Sequence, residues 1–411
     1  MYYINIMIQK NFERLLDIGI ALSGVHDLDK LLDFILKEAQ ALTGADSGSI
    51  YLVNKDKLIF KTSRSNTYFK RWGEEETKKL FKSFEMPITK ASISGYVALT
   101  SQQLNIPDVR QLPPGCDFHY NPEFDRKYNY ETISMLVMPM LDQNSKIIGV
   151  LQMINCMENG SVAPFSEESQ KIISSFSSQA AVAINNTMLT DELKSAQMDT
   201  ILKLCSAAEF RDKETGNHVR RMSHYSRIIA KNMGLPEKQV ELIFAAAPMH
   251  DIGKVGIPDS ILQKQGILTP EERLVMEKHT VIGSLILKDS VAEVLVQSRI
   301  IALTHHEKVN GTGYPRKLKG GEIPIEGKIV ALADVYDALS SRRCYKEPFP
   351  EEKVLSILNE EKGKHFEPKV IDAFLSGLPE IREIKDSHVD TDEDFDKFGD
   401  VDKANLEELS K

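Results

Sequence analysis

The sequence predicts two domains of different class, an α+β domain followed by an all-α domain. Three observations carry this expectation. A helical pattern, a series of short strand-like runs and a second helix follow one another in the first half of the chain. The stretch from Ser166 to Thr215 contains neither Gly nor Pro. From about Thr200 onward the chain reads as helix throughout. A length of 411 residues suffices for two sizeable cores. The expected division is an α+β domain over 1–188, an interdomain helix over 189–200, a helical domain over 201–385 and an acidic tail over 386–411.

The elements follow from spacing. Leu28, Leu31, Leu32, Ile35, Leu36, Ala39 and Leu42 recur with helical period, and Gly44 ends the pattern. Strand-like runs come next at 49–53, 57–60, 135–140 and 147–153, with the polar hairpin turn Asp142-Gln143-Asn144-Ser145-Lys146 between the last two. Ser166 is placed to cap a helix whose first turn holds Glu167 and Glu168, favourable at the positive end of the dipole. The apolar face Ile172, Phe176, Ala180, Ala183, Ile184, Leu189, Leu193, Ala196, Ile201, Leu204 and Ala208 continues that helix, with a break expected near Asp191–Asp199 because so long a helix is uncommon. Such a stripe pairs with a second copy in a parallel coiled coil or packs on its own domains; a homodimer is the favoured reading.

This order, with Leu42-Thr43-Gly44-Ala45-Asp46-Ser47-Gly48-Ser49-Ile50-Tyr51-Leu52, Ile93-Ser94-Gly95-Tyr96-Val97-Ala98 and Gly149-Val150-Leu151-Gln152, resembles a GAF domain over roughly residues 12–188. The resemblance implies a central antiparallel sheet with helices on one face, and a small-molecule pocket whose ligand is unknown. Cys116, His119 and Tyr120 fall in a long irregular segment near such a pocket. They read as surface-loop residues rather than a chromophore or metal anchor.

Composition bounds the class. The chain is 42% apolar and 27% charged, without a run long enough to cross a bilayer. The apolar opening Met1–Ile8 has no basic region and no small-residue cleavage site, and reads as the start of a helix. Cys116, Cys156, Cys205 and Cys344 are scattered without a C-x-x-C pair, which fits reduced thiols in the cytoplasm. The net charge is −9, of which −7 lies in Asp386–Lys411 with ten acids against three lysines. The body is therefore near neutral, and a local basic pocket can still attract an anion. No membrane and no nucleic-acid polymer is expected as a partner. Asp392-x-Asp394-x-Asp396 hints at a calcium loop, but the turn Gly is missing and position twelve is Lys403; a solvated tail fits better.

The chemistry lies in the second half. Five of the ten histidines fall into an ordered set: Glu214-x-x-x-His218, His250-Asp251-x-x-Lys254, His279, His305-His306-Glu307, and Ala333-Asp334-Val335-Tyr336-Asp337. His250 and Asp251 close the apolar stretch Ala245-Ala246-Ala247-Pro248-Met249, where a bare carboxylate is costly unless a cation sits beside it. A metal ion answers that cost, since imidazole suits iron, manganese or zinc and a carboxylate can bridge two ions. On a helix Lys254 would project from the same face as Asp251. Two adjacent histidines serve one metal only at a helix end, which Asn310-Gly311-x-Gly313 supplies.

The run His305-His306-Glu307-x-x-Asn310-Gly311-x-Gly313-Tyr314-Pro315-x-x-Leu318-x-Gly320-x-x-Ile323-Pro324 resembles the HD-GYP signature, and the resemblance spans roughly 200–380. Asn310 stands where Asp is usual and keeps the turn chemistry; Lys317 stands on the surface loop where Gly is usual. The resemblance implies a metal-dependent phosphodiesterase acting on cyclic di-GMP, with His218, His250, Asp251, His279, His305, His306 and Asp334 as ligands. Asp251 and Asp334 would each serve more than one ion. Glu214, in Arg211-Asp212-x-Glu214-Thr215-Gly216-x-His218, is similar to members with three metals; the rival reading is a helix cap. Lys254, Arg343 and Lys346 would bind phosphate, Tyr314 would touch substrate, and Asp337 would orient a ligand. Asp251 and Lys254 would carry catalysis.

The expected cofactor is two or three metal ions, iron first and manganese as the alternative. The expected chemistry is attack by a metal-bridging hydroxide, giving the linear dinucleotide and then GMP. Expected partners are cyclic di-GMP, a second copy of the chain, an unknown GAF ligand and, through the Gly-Tyr-Pro segment, a diguanylate cyclase. The rivals are an HD-type phosphohydrolase of another nucleotide or hybrid cyclic dinucleotide, and a non-catalytic cyclic-dinucleotide sensor.

Overall fold

The computed structural model describes residues 14–209, 211, 216–342 and 347–391. The opening segment at 1–8, Cys344 and the Asp392–Asp396 run lie outside them. The chain forms two compact units, Met1–Leu193 and Lys194–Lys411, each with its own cores.

The first unit is an antiparallel sheet of seven strands. Its strands are β1 (Ala45–Asn54), β2 (Lys57–Ser65), β3 (Glu85–Pro87), β4 (Leu104–Ile106), β5 (Met135–Leu141), β6 (Ile147–Glu158) and β7 (Ser161–Ala163). They run in the order β3-β2-β1-β6-β5-β4, with β7 on β6. Its helices are α1 (Leu28–Thr43), α2 (Asn66–Trp72), α3 (Glu74–Leu80), α4 (Ile93–Thr100) and α5 (Glu123–Tyr128), after a helical stretch at 14–23. Local chemistry sets the ends of α1. The Asp27 carboxylate accepts from Lys30 N at 2.8 Å, and Gly44, at φ 68°, donates to Gln40 O at 2.8 Å. In the β5–β6 hairpin Asp142 accepts from the backbone of Asn144 and Lys146 at 2.8 and 2.9 Å.

Helices were expected on one face only, and the sheet is covered on both. Leu31, Ile35 and Leu36 of α1 pack with Phe176 and Ile184 against Ile50, Leu136, Leu151 and Met153. Ile93, Val97 and Ala98 of α4 pack on the other face against Leu58, Val137 and Val150. Alternation along β5 and β6 places an apolar residue on each face, so both require cover.

Helix α6 spans Glu167–Glu209 without the break expected near Asp191–Asp199. Ala, Leu, Lys, Glu, Gln and Met dominate that segment, and no residue in it stops a helix. The Ser166 hydroxyl accepts from Ser169 N at 3.1 Å.

The second unit is helical: α7 (Gly216–Asn232), α8 (Glu237–Ala246), α9 (Asp259–Leu262), α10 (Pro270–Met276), α11 (His279–Ile286), α12 (Glu293–Thr304), α13 (Ile325–Ser340), α14 (Glu351–Glu360), α15 (Pro368–Ser376) and α16 (Leu378–Ser387). One core joins α7, α8, α12, α13, α15 and α16 through Tyr225, Ile229, Ile243, Ile301, Val330, Tyr336, Phe374 and Ile381. Each such side chain contributes roughly 1.5–3 kcal/mol on burial. A second core sets Ile201, Leu202 and Cys205 of α6 against Val219, Met249, Leu287 and Val294.

Two expectations need correction. The tail was placed from residue 386, yet α16 runs to Ser387 and Asp390 is buried. The shared face of Asp251 and Lys254 was argued for a helix, but Asp251 caps and Lys254 lies within a 3-10 segment, Ile252–Gly256.

Candidate metal centre

Helix ends converge on Asp251. His218 lies in the first turn of α7, and His250 and Asp251 lie between two 3-10 segments after α8. His279 opens α11, His305 and His306 follow α12, and Asp334 lies within α13. Their ligand atoms fall into three groups, each within 4.8 Å: Asp251, His279, His305 and His306; His218, His250 and Asp334; and Glu209, His250 and Asp251. Asp251 and His250 each belong to two groups.

The imidazoles are aimed by the backbone. Nδ1 of His250 donates to Ala247 O at 3.0 Å, Nδ1 of His279 to Met276 O at 2.7 Å and Nδ1 of His305 to Ile301 O at 3.1 Å. A carbonyl only accepts, so each ring carries its proton on Nδ1 and turns the Nε2 lone pair inward. Nε2 of His279 and of His305 both lie 3.2 Å from Asp251 Oδ1, and Nε2 of His250 lies 3.5 Å from Oδ2. These three Nε2 atoms and Asp251 Oδ1 are buried without a hydrogen-bond partner. Four orphaned acceptors facing one another are costly unless a cation sits among them. The donors are imidazole and carboxylate with no thiolate, a set that fits divalent iron, manganese or zinc.

A further layer of residues fixes the ligands. Asp337 Oδ2 accepts from His218 Nδ1 at 2.8 Å, and its two oxygens accept from Arg221 Nε and Nη2 at 2.6 and 2.9 Å. Ser341 Oγ donates to Asp337 Oδ1 at 3.2 Å. The carboxylate is thus filled by donors and orients His218. Lys254 Nζ lies 2.8 Å from Asp251 Oδ2 and 3.5 Å from Glu209 Oε2. The Arg211 guanidinium donates to Val255 O at 2.6 Å and Ile257 O at 3.1 Å, which pins the turn carrying Lys254. Glu307 is buried, and its carboxylate accepts from Arg316 N and Leu318 N at 2.7 and 2.9 Å, which closes the loop bearing Tyr314. The Tyr314 ring stacks on His306 at 4.7 Å between centroids.

Charge states follow from these surroundings. For Asp251, burial alone would raise its pKa, but Lys254, His250 and His279 hold it well below the carboxylate range. Asp337 behaves alike: burial is outweighed by Arg221 and His218. Burial pushes His250 down to about 4. Burial, reinforced by His305 and His279, drives His306 well below the usual imidazole value. For His279 burial is outweighed by Asp251, and the net shift is upward.

Of the residues singled out from sequence, His218, His250, Asp251, Lys254, His279, His305, His306, Tyr314 and Asp334 come together. Glu214, Arg343 and Lys346 lie outside the described residues. Glu209, Arg211 and Arg221 were assigned no role. A signal for Glu209 existed, because an acid at the C-terminal end of a helix opposes the dipole and needs another reason to be there. Cys116, His119 and Tyr120 line an open groove of about 380 Å³ with Val109, Arg110 and Phe118 in the first unit.

With this geometry in place, comparison with known proteins defines the class. Residues 27–184 match the GAF domain model and residues 204–370 the HD domain model. The chain carries a GAF domain followed by an HD domain. It is 49% identical over 185 residues to the cyclic di-GMP phosphodiesterase of Thermotoga maritima, covering 45% of this chain and 50% of that protein. It is 40% identical over 208 residues to the cyclic di-GMP phosphodiesterase response regulator RpfG of Xanthomonas campestris, covering 50% and 55%. It is 40% identical over 222 residues to the 3'3'-cGAMP-specific phosphodiesterase 2 of Vibrio cholerae, covering 54% and 42%. The chain spans about half the length of the curated relatives it matches.

Proposed function

We propose that this protein is a metal-dependent phosphodiesterase that hydrolyses cyclic di-GMP to the linear dinucleotide and on to GMP. The observation that carries this reading is the convergence of three orphaned imidazole Nε2 atoms on the buried Asp251, with Lys254 beside them. His218, His250, Asp251, His279, His305, His306 and Asp334 would hold the ions, iron first and manganese as the alternative, with Glu214 completing a third site.

The ions would activate water and neutralise the attacked phosphate. Everything else falls to the chain. Asp251 anchors the set, because its two oxygens face different histidines. Asp337 keeps the His218 proton on Nδ1 and leaves Nε2 to coordinate. Lys254 supplies a fixed positive charge to the transition state, and Arg343 and Lys346 would join it in binding phosphate. Tyr314, stacked on His306, bounds the substrate side of the site. The GAF domain serves regulation or dimerisation, and the protein works as a cytoplasmic homodimer. Leu189 and Leu193, four residues apart on α6 and 53% and 70% exposed, are the residues that would pair.

A second reading has its own observation, the likeness to a 3'3'-cGAMP-specific relative. The test is turnover of both cyclic dinucleotides by anaerobically iron-loaded full-length protein, with products separated by chromatography. Faster cleavage of cyclic di-GMP is expected. Faster cleavage of 3'3'-cGAMP establishes the second reading, and loaded protein that leaves both uncut while cleaving an unrelated phosphoester overturns both.

A further inference from the structure

The segment after α16 returns to α7 and inserts an acid beside the site. Asp390 Oδ2 accepts from Arg221 Nη1 at 2.9 Å, and both side chains are 3% exposed. The same Nη1 donates to His388 O at 2.7 Å. One turn earlier on α7, Asn217 Nδ2 donates to Val389 O at 3.1 Å. Arg221 turns its Nε and Nη2 toward Asp337 at 2.6 and 2.9 Å, and Asp337 in turn accepts from His218 Nδ1 at 2.8 Å. Four side chains therefore form one relay, Asp390 to Arg221 to Asp337 to His218.

We propose that residues 388–390 form a strap that positions the metal ligand His218, with Asp390 as its positioning residue. This deepens the functional reading above and rests on it, since it takes His218 to coordinate metal. The physical reason is directional. A guanidinium has donors on opposite edges, so an arginine held on one edge is fixed in orientation on the other. Asp337 alone fills the Nε edge. Without Asp390, Nη1 keeps only the His388 carbonyl, which moves with the strap. Arg221 can then rotate toward water and take Asp337 with it, and the His218 ring loses its fixed orientation and the basicity that the carboxylate lends it. The buried charges are also coupled. Two carboxylates face one guanidinium and one imidazole N–H, and removing one carboxylate changes the field at His218 as well as its geometry. Asp390 touches neither substrate nor ion, so its effect appears in metal affinity and ligand field before it appears in chemistry.

The test uses full-length protein and cobalt(II) as the probe, read by chelator competition and by the visible ligand-field spectrum. Asp390→Asn should weaken cobalt binding at one site by about tenfold, the lower end for residues that orient ligands, and shift the spectrum. In a His218→Ala background the same change should add nothing, because the ligand it acts through is gone. Wild-type affinity and spectrum in Asp390→Asn overturn the strap, as does an equal loss in the His218→Ala background. Wild-type affinity in His218→Ala alone removes the ligand reading of His218, and the strap falls with it. Should Asp390→Asn not fold, Asp390→Glu decides. It keeps the charge but displaces the carboxylate by one methylene, so a shifted spectrum supports the strap and a wild-type spectrum overturns it.

Discussion

At the scale of single residues, the site is built by donors that force each ligand's free atom inward. Backbone carbonyls do this for His250, His279 and His305, and the Asp337 carboxylate does it for His218. Asp251 has no comparable substitute, because it is the carboxylate that belongs to two of the ligand groups. Asp251→Asn should therefore lose metal and turnover together, with affinity down by at least about 100-fold, above what loss of an orienting partner costs. Metal content by elemental analysis, measured beside activity, checks this, and near-normal turnover in the variant would remove the multinuclear reading. Glu209 makes a finer case. It approaches Lys254, and it also falls in a ligand group with His250 and Asp251. As a partner of Lys254 it would draw the ammonium from Asp251 when a cation occupies the site. Glu209→Gln should leave the metal count unchanged and lower affinity by about tenfold, and Lys254→Met should cancel that loss. A drop of one metal per chain in Glu209→Gln would make the residue a ligand instead.

At the scale of elements, close approach of two short segments makes the site possible. A Cβ on Gly253 would run into the carbonyl oxygen of His279 and the amide nitrogen of Gly283. That contact packs the 252–256 segment against α11 and brings Asp251 beside His279. Gly253→Ala should thus separate the two ligands, costing about 1–3 kcal/mol as overpacking does and weakening metal binding in proportion. Thermal melting with and without metal reads both effects, and an unchanged melting temperature would mean the segments can part freely. Much of this was legible in the sequence, for stated reasons. Histidine spacing, the hairpin turn at Asp142 and the helix end at Gly44 are local chemistry. The Lys317 backbone is of the same kind: its φ of 55° lies where Gly is comfortable and Lys is strained, which accounts for Gly at that place in the resemblance. What was not legible depends on distant segments meeting. Glu209 stands against the dipole at a helix end, but the partner that explains it appears only when Lys254 is folded against it. Asp390 reads as part of a solvated acidic run, because nothing near it in sequence indicates that Arg221 lies 169 residues away. The tight turns around Asp251 were hidden for a similar reason, since an Ala-rich run favours helix until the packing of α11 requires otherwise.

At the scale of the whole molecule, each unit has its own apolar cores, so each should melt as its own cooperative transition. Every residue of the ligand groups lies in the second unit. An ion that binds only folded protein adds RT ln(1 + [L]/Kd) to that unit alone, about 2.7 kcal/mol at a hundredfold excess over Kd. Chelation should therefore lower one calorimetric transition and leave the other in place. Acid should act on the same transition. Burial pushes His250 to about 4, and His365, also near Lys308, to about 4. His224 is likewise lowered to about 4 by burial, with Arg227 and His388 adding to it. A histidine whose folded pKa lies below its unfolded value of about 6.5 binds its proton more readily when unfolded. Its stabilising contribution is complete above pH 6.5 and is lost as pH falls toward 4. His279, shifted upward by Asp251 against the pull of burial, works in the opposite sense, but it stands alone against three lowered groups and His306. In chelated protein the second-unit transition should fall steadily between pH 6.5 and pH 4.5. His365→Asn should flatten part of that slope, since the variant has no proton to gain. The GAF transition supplies the internal control, because none of these histidines belongs to it. A chelated protein whose second transition keeps the same temperature from pH 7 to pH 5, or whose two transitions fall in parallel, would show that these buried imidazoles do not govern its acid response.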